Sequence, residues 1–354
     1  MIFDKNLLKR INFVLYTKKH LFIYIVIGFL SVLFELSIRK FTKNYITSEE
    51  IYLHFSFFLA IIFAFYLNIT FNFNVPKIYL KRSLIYYALI SLFSYIFQYI
   101  IRNQLELNNF SFEQERLLIS GLFFSIAYFF HIKLSFKDNK KVGVAIYANG
   151  YEDVNEIYKK IGLYPDFIHV DIIDKTMNIN AVDTNLSKLE VVKAFWPNHQ
   201  INTHIMSNNP INLLEGNITI YSDIIYVHHE IQNRNEVINK IRKKGKIAGL
   251  VLHSVNEYDD LENIISDIKE VLVLSIEKAG VSGQKFYERS YQLIEKINKL
   301  PFRKNFNLCV DGGIKTNLIN KFTSEKVVSG SDVLNSESPT RKIMKLQTVA
   351  RYEK

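Results

Sequence analysis

Apolar residues over the first 136 positions fall in long, nearly unbroken runs, whereas after Lys140 they fall in short runs separated by amphipathic stretches. A membrane-spanning helix needs about 20 consecutive, mostly apolar residues. Four runs approach that length, at 21–38, 51–70, 83–101 and 117–136. The fourth is strongly apolar only over 117–132, so completing it requires His131 and Lys133 to snorkel toward the interface, or local thinning of the bilayer. The pattern predicts four transmembrane helices.

In the second part, strands are predicted at 142–147, 167–171, 201–205, 224–227, 247–252, 271–275, 308–311 and around 327–328. Helical patterns lie between them, as in Leu261, Ile264, Ile265 and Ile268, whose spacing lines one face. Eight strand-helix units in roughly 215 residues fit an α/β TIM barrel, (β/α)8, with a doubly wound open sheet as the competing arrangement. The domains are therefore read as a helical membrane domain at 1–136 and a barrel at 137–354.

Charge and aromatic content sharpen this division. Residues 1–132 carry 13 Lys/Arg and 7 Asp/Glu but 32 of the chain's 50 aromatic residues. The net charge of +10 lies largely beside apolar runs, which points to juxtamembrane placement and away from nucleic acid. Cys309 is the only cysteine, which excludes an internal disulfide and Cys-rich zinc motifs. The first apolar run contains Tyr24 and Glu35 and lacks a small-residue cleavage site, so it is expected to be a retained helix and not a signal peptide.

Orientation follows from the flanking cations. Lys5, Lys9, Arg10, Lys18, Lys19, Lys77, Lys81, Arg82, Lys133, Lys137, Lys140 and Lys141 fall on one side. Arg39, Lys40, Lys43, Arg102 and Arg116 fall on the other, diluted by Glu49, Glu50, Glu106, Glu113 and Glu115. The positive-inside rule then predicts a multi-pass protein of the cytoplasmic membrane, with both termini and the barrel facing the cytoplasm. Polar residues inside the spans are costly and are candidates for function: Glu35, His54, Asn68 and Gln98. Interface snorkelling is the competing explanation for Glu35 and His54, and Asn68, read as deeper in its helix, is the better functional candidate.

Chemistry collects at the predicted strand ends. His169 and Asp171 stand at i and i+2 on one face of the second strand, His204 closes the third and Asp311 closes the seventh. Mixed nitrogen and oxygen donors of this kind suit one divalent ion, Zn, Fe(II), Mn or Co; taken singly, each is also a common strand-end cap. Glycines follow three successive strands, in Ser282-Gly283-Gln284, Gly312-Gly313 and Ser329-Gly330-Ser331. Small residues there let backbone N–H groups approach an anion, as in the phosphate sites of many barrels.

Two resemblances extend this reading. Ile27-Gly28-Phe29-Leu30-Ser31 with Glu35, followed by Phe65-Tyr66-Leu67-Asn68-Ile69-Thr70-Phe71-Asn72-Phe73, resembles the GtrA-like four-helix family. This implies a membrane domain that moves or presents polyprenyl-phosphate-linked sugars, with a glycosyltransferase as partner and Glu35 and Asn68 as site candidates. The family's usual Asp is here Glu35, and its Arg after the Asn is here Ile69, leaving Lys77, Lys81 and Arg82 for a lipid phosphate.

From 142 to 334 the chain resembles ribulose-phosphate 3-epimerase. The match runs through Phe167-Ile168-His169-Val170-Asp171, Thr203-His204-Ile205-Met206, Val227-His228-His229-Glu230, Val273-Leu274-Ser275-Ile276, Gly283-Gln284-Lys285-Phe286, Val310-Asp311-Gly312-Gly313 and Val328-Ser329-Gly330-Ser331. The resemblance implies one divalent metal on His169, Asp171, His204 and Asp311, with Asp171 and Asp311 also the acid/base pair. It further implies a phosphorylated ketose bound by Met206, Gly283, Gly312, Gly313, Gly330 and Ser331, in a homo-oligomeric enzyme. Departures fall at the pocket mouth: a Ser of the family is lost in Val144-Ala145-Ile146-Tyr147, Lys175 follows Asp174, His253-Ser254 replaces Asn-Pro, and the loop Lys278 to Gly283 is altered. These changes bear on the substrate and leave the metal set intact.

Overall fold

The computed structural model describes residues 15, 18–73, 75, 77–105, 112–148, 150, 152–182 and 186–352. Lys5, Lys9, Arg10 and Glu106, used above for orientation, lie outside them, as do the side chains of Glu49, Glu50, Arg102, Glu113, Glu115 and Arg116. Contacts divide the chain into two compact units, Met1–Asn139 and Lys140–Lys354.

In the first unit the helices are α1 (Lys19–Thr42), α2 (Glu49–Phe71), α3 (Leu80–Leu105) and α4 (Phe112–Phe130). Among the described residues three helices are long and apolar enough to cross a membrane, Lys19–Thr42, Ile51–Phe71 and Lys77–Ile101, and a shorter apolar helix covers Phe123–Ser135. A helix satisfies its own backbone groups, which hydrocarbon demands. The outward faces are apolar, with Phe29, Phe58, Phe93 and Phe129 each more than half exposed. Ser31, Glu35, Ser56, Asn68 and Asn72 are buried, whereas His54 is exposed.

One expectation fails here. His131 does not snorkel outward: it is buried, its ring stacks on Tyr87 at 4.3 Å and its Nδ1 lies 3.0 Å from Ser135 Oγ. The helix widens into a π-type turn at His131–Ser135, closed by the Phe136 N–H donating to the His131 carbonyl at 2.8 Å. Aromatic stacking and an internal hydrogen-bond partner offset the burial of the ring, so it has no need of the interface. Lys133 remains exposed, over the Phe129 ring.

The second unit is a closed barrel of eight parallel strands in sequential order. They are β1 (Lys141–Tyr147), β2 (Phe167–Ile173), β3 (Ile201–Met206), β4 (Ile224–His228), β5 (Ile247–His253), β6 (Glu270–Leu274), β7 (Asn307–Asp311) and β8 (Lys326–Ser329). Both faces are covered, so the strands read as continuous apolar runs. One parity, including Val144, Val170, Leu250 and Val310, packs against the surrounding helices. The other, including Phe167, Tyr226, Leu272 and Cys309, fills the barrel. Gly143 and Gly249 make room inside it: an added Cβ would stand 2.3 Å from the rings of Phe167 and Tyr226 respectively.

Beneath the apolar filling lies a charged layer. Lys326 Nζ donates to both Glu270 carboxylate oxygens at 2.9 and 3.0 Å, and the Tyr226 hydroxyl donates to Glu270 at 2.9 Å. β2 runs two residues beyond its expected end because Ile172 and Ile173 stay in register with Ile205 and Met206. His169 and Asp171 thereby sit inside the ladder, on rigid backbone.

Candidate metal centre

Strand parity decides which side chains meet. His169 and Asp171 share the inward face of β2 with Phe167, and Asp171 lies in register with His204 of β3. Asp311 is the last residue of β7. All four therefore project into the barrel toward the carboxyl ends of its strands, where chemistry in this architecture resides. One donor atom from each lies within 4.8 Å of every other. His169 Nε2 stands 3.4 Å from Asp171 Oδ1 and 3.6 Å from Asp311 Oδ2. His204 Nδ1 stands 3.2 Å from Asp171 Oδ1 and 4.0 Å from Asp311 Oδ2.

These residues fit a metal ion. Both ring nitrogens of His169 are buried and lack a hydrogen-bond partner among the described residues. An unmet buried donor or acceptor costs about 1–3 kcal/mol. A divalent cation between Nε2 and the two carboxylates removes that cost for Nε2, and two imidazoles with two carboxylates suit Zn, Fe(II), Mn or Co.

The two carboxylates differ in proton affinity. Burial opposes ionisation of Asp171, but the neighbouring His169 and His204 outweigh it and hold the carboxyl well below its ordinary range. Burial, reinforced by the negative charge of Asp171, pushes Asp311 up. For His169 the order is burial, which opposes its charge, and then Asp171 and Asp311, which together raise its pKa. Burial lowers His204 to about 4, so its ring is neutral at pH 7.

A cavity of about 300 Å³ opens over the carboxylates. Its wall includes Asp171 and Asp311 together with Met206, Gly283, Gly312, Gly313, Gly330 and Ser331, so every substrate-binding candidate of the barrel lines one space. Gly313 has φ +64°, and a Cβ there would lie 2.2 Å from the Phe286 nitrogen, so only glycine lets these two backbones pass. Ala145 and Tyr147 line the wall where the family's serine is lost. Burial and then the Asp171 charge raise the Tyr147 pKa, in keeping with a phenol near the carboxylate.

Three contributors were not assigned a role from sequence. Ser275 donates its hydroxyl toward the carbonyls of Asp311 and Gly312, at 2.8 Å each, and so fixes the backbone that carries the carboxylate. His228 Nε2 lies 3.0 Å from His204 Nε2, and Glu230 lies 3.5 Å from His228 Nδ1. All three stand in segments shared with the family, but only their neighbours in space reveal what they touch. Glu35 and Asn68 belong to the helical unit, where both are buried and line a different cavity, of about 460 Å³. Asn68 donates to the Ala64 carbonyl at 2.9 Å and accepts from Asn72 at 3.2 Å.

Comparison with known proteins places the barrel among relatives. The profile of the Ribulose-phosphate 3 epimerase family matches residues 142–334. A ribulose-phosphate 3-epimerase of Encephalitozoon cuniculi is 25% identical over 202 residues, covering 56% of this chain and 89% of that protein. One of Aquifex aeolicus is 29% identical over 198 residues, covering 52% and 86%. Among solved structures, a 3-hexulose-6-phosphate synthase from Salmonella typhimurium aligns with 59% of this chain and 98% of its own at 14% identity, with a TM-score of 0.46.

Proposed function

The chain belongs to the ribulose-phosphate 3-epimerase family through residues 142–334, and from that membership we propose that its barrel is a metal-dependent epimerase of a ketose phosphate, held at a membrane by the helical unit. The observation that carries this reading is the joint placement of Asp171 and Asp311 beside His169 and His204, in a cavity whose other wall is three glycine loops.

Inverting a carbon next to a ketone requires a base on one face and an acid on the other. Two carboxylates whose surroundings drive their proton affinities apart match those roles. Asp171 and Asp311 share these roles: whichever carboxylate is ionised takes the C3 proton, and the other, carrying a proton, delivers one to the opposite face; the roles exchange in the reverse direction. His169, His204 and the same two carboxylates would hold the metal, which when bound polarises the ketone oxygen and stabilises the negative charge that develops there. Backbone at Gly283, Gly312, Gly313, Gly330 and Ser331 receives the phosphate, and Met206 gives an apolar wall that excludes water. The sugar differs from that of the named relatives in the region of Ala145 and Tyr147. Purified full-length protein loaded with Zn, Mn, Co or Fe(II) and offered a panel of ketose phosphates should convert one of them to its C3 epimer. If it binds such phosphates and converts none, the barrel is a sensor, a reading that the altered residues Ala145, Lys175 and His253 would then favour.

For the helical unit we propose a GtrA-like domain over 1–136, with Phe112–Phe130 and the turn that follows as a fourth span, and with the barrel at 137–354 facing the cytoplasm. Its role is to present or move a polyprenyl-phosphate-linked sugar in cell-surface glycan assembly, next to a glycosyltransferase and as part of a homo-oligomer. The supporting observation is the 460 Å³ cavity, which Glu35, Asn68, Gln98 and Tyr87 line with hydrogen-bonding groups between apolar walls. Vesicles reconstituted with the full-length protein should speed transfer of a prenyl-phospho-sugar between leaflets or bind it, and Asn68→Leu should reduce both.

A further inference from the structure

His204 has two ring nitrogens with different surroundings. Nδ1 faces Asp171 and Asp311 at 3.2 and 4.0 Å, while Nε2 faces His228 Nε2 at 3.0 Å. Only one proton fits between two imidazole nitrogens at that distance, so the tautomers of the two rings are linked. On the far side of His228, Nδ1 stands 3.5 Å from Glu230 Oε2. Glu230 Oε1 in turn accepts from the Tyr258 hydroxyl at 3.0 Å and from the Asn256 amide.

An ionised carboxylate only accepts hydrogen bonds, so it favours a proton on His228 Nδ1. A neutral His228 then has a bare Nε2, which accepts the proton of His204 Nε2, and His204 is left with a bare Nδ1 toward the carboxylates. The opposite order would set the bare Nδ1 of His228 against the Glu230 carboxylate, lone pair to lone pair. It would also put a proton on the one His204 nitrogen that can reach a cation.

We propose that His228 and Glu230 are positioning residues that lock His204 in the tautomer with Nδ1 free for a metal ion. His169 has no such support, since its Nδ1 lacks a hydrogen-bond partner among the described residues. The two imidazoles of the cluster are therefore unequal, and the affinity of the site depends on two residues that do not touch the ion. Outer partners of this kind typically change metal affinity by about 10–100-fold. The inference rests on the reading of the four-residue cluster as a metal centre.

The test is a titration of the full-length protein in detergent with Co(II), followed by visible absorption, for wild type, His228→Leu, His228→Gln and Glu230→Gln. Emission of Trp196, the chain's only tryptophan and buried in the barrel, reports folding in each sample. Folded His228→Leu should bind Co(II) about 10–100-fold more weakly than wild type, with a changed spectrum. His228→Gln, whose amide oxygen accepts the same proton, should recover most of the affinity, and Glu230→Gln should fall between. If the Leu variant does not fold, the Glu230→Gln loss and the His228→Gln recovery decide the matter. Wild-type affinity and spectrum in the Leu variant, or in Glu230→Gln where the Leu variant is unfolded, would overturn the relay. Absence of a Co(II) spectrum in wild type would overturn the metal reading on which it stands.

Discussion

Lys326 and Glu270 form a bidentate ion pair inside the barrel, at 2.9 and 3.0 Å, with both side chains buried. The pair lies below the apolar filling and so at the opposite end of the barrel from the four candidate ligands. Tyr226 and Asn307 add hydrogen bonds to the same carboxylate at 2.9 and 2.8 Å. Removing the cation alone leaves a buried negative charge, which costs about 3–5 kcal/mol. Lys326→Met should therefore lower barrel stability by that amount, read from denaturant unfolding followed by Trp196 fluorescence. A loss under about 1 kcal/mol would mean that water reaches this layer and screens the pair.

At Gly313 the backbone of the loop after β7 passes the backbone of residues 285 and 286, and an added Cβ would stand 2.2 Å from the Phe286 nitrogen. Gly313→Ala must push these segments apart on the wall assigned to the phosphate. The substrate's KM should rise at least about tenfold, which corresponds to roughly 1.4 kcal/mol, with Co(II) affinity unchanged. A variant with unaltered KM would show that the phosphate binds elsewhere.

Metal affinity should depend on pH with a defined sign. Burial and the Asp171 charge raise the Asp311 carboxyl to about 7 in the metal-free protein, so below that pH the group keeps a proton that a cation must displace. Affinity should rise with pH through the neutral range and level off above it. Asp171, already ionised, adds no dependence there. Calorimetry of Co(II) binding in two buffers of different ionisation enthalpy should count close to two protons released at pH 6, one from Asp311 and one from His169, whose pKa is also raised, and fewer at pH 8. Equal counts at both pH values in the wild type, or a wild-type count in Asp311→Asn, would remove Asp311 from the ligand set.

In the helical unit, Phe93 lies midway along α3 and is 73% exposed. If that face meets lipid, a lysine there costs about 2.5–3.5 kcal/mol on insertion. Phe93→Lys should lower the amount of full-length protein recovered in the membrane fraction, whereas Phe93→Leu should not. Equal recovery of both would place this face against water or another protein.

The strands were legible because parallel strands covered on both faces leave uninterrupted apolar runs, and their order along the chain is their order around the barrel. Their ends were less so: β2 continues through Ile173 only because β3 continues beside it. The four candidate ligands were legible from strand parity together with family resemblance. The partners of Glu270 were not, since Tyr226 and Lys326 lie 44 and 56 residues away and nothing local marks them as neighbours. His131 was misplaced for a related reason: the rings that shelter it, such as Tyr87, come from another helix. His228 sat in a recognised segment, but its role depends on a nitrogen 24 residues distant in sequence.

By this mechanism Asp171 and Asp311 move a proton on and off the carbon beside a ketone. Proton NMR of the full-length protein with Co(II) or Zn in D₂O, starting from ribulose 5-phosphate and continuing through other ketose phosphates, measures this directly. Deuterium should enter C3 of one of these sugars, with its epimer appearing alongside, and both should be lost in Asp171→Asn and Asp311→Asn. Metal-loaded protein that binds the sugar phosphate yet leaves C3 unlabelled, or labelling that survives either substitution, would rule this proton transfer out.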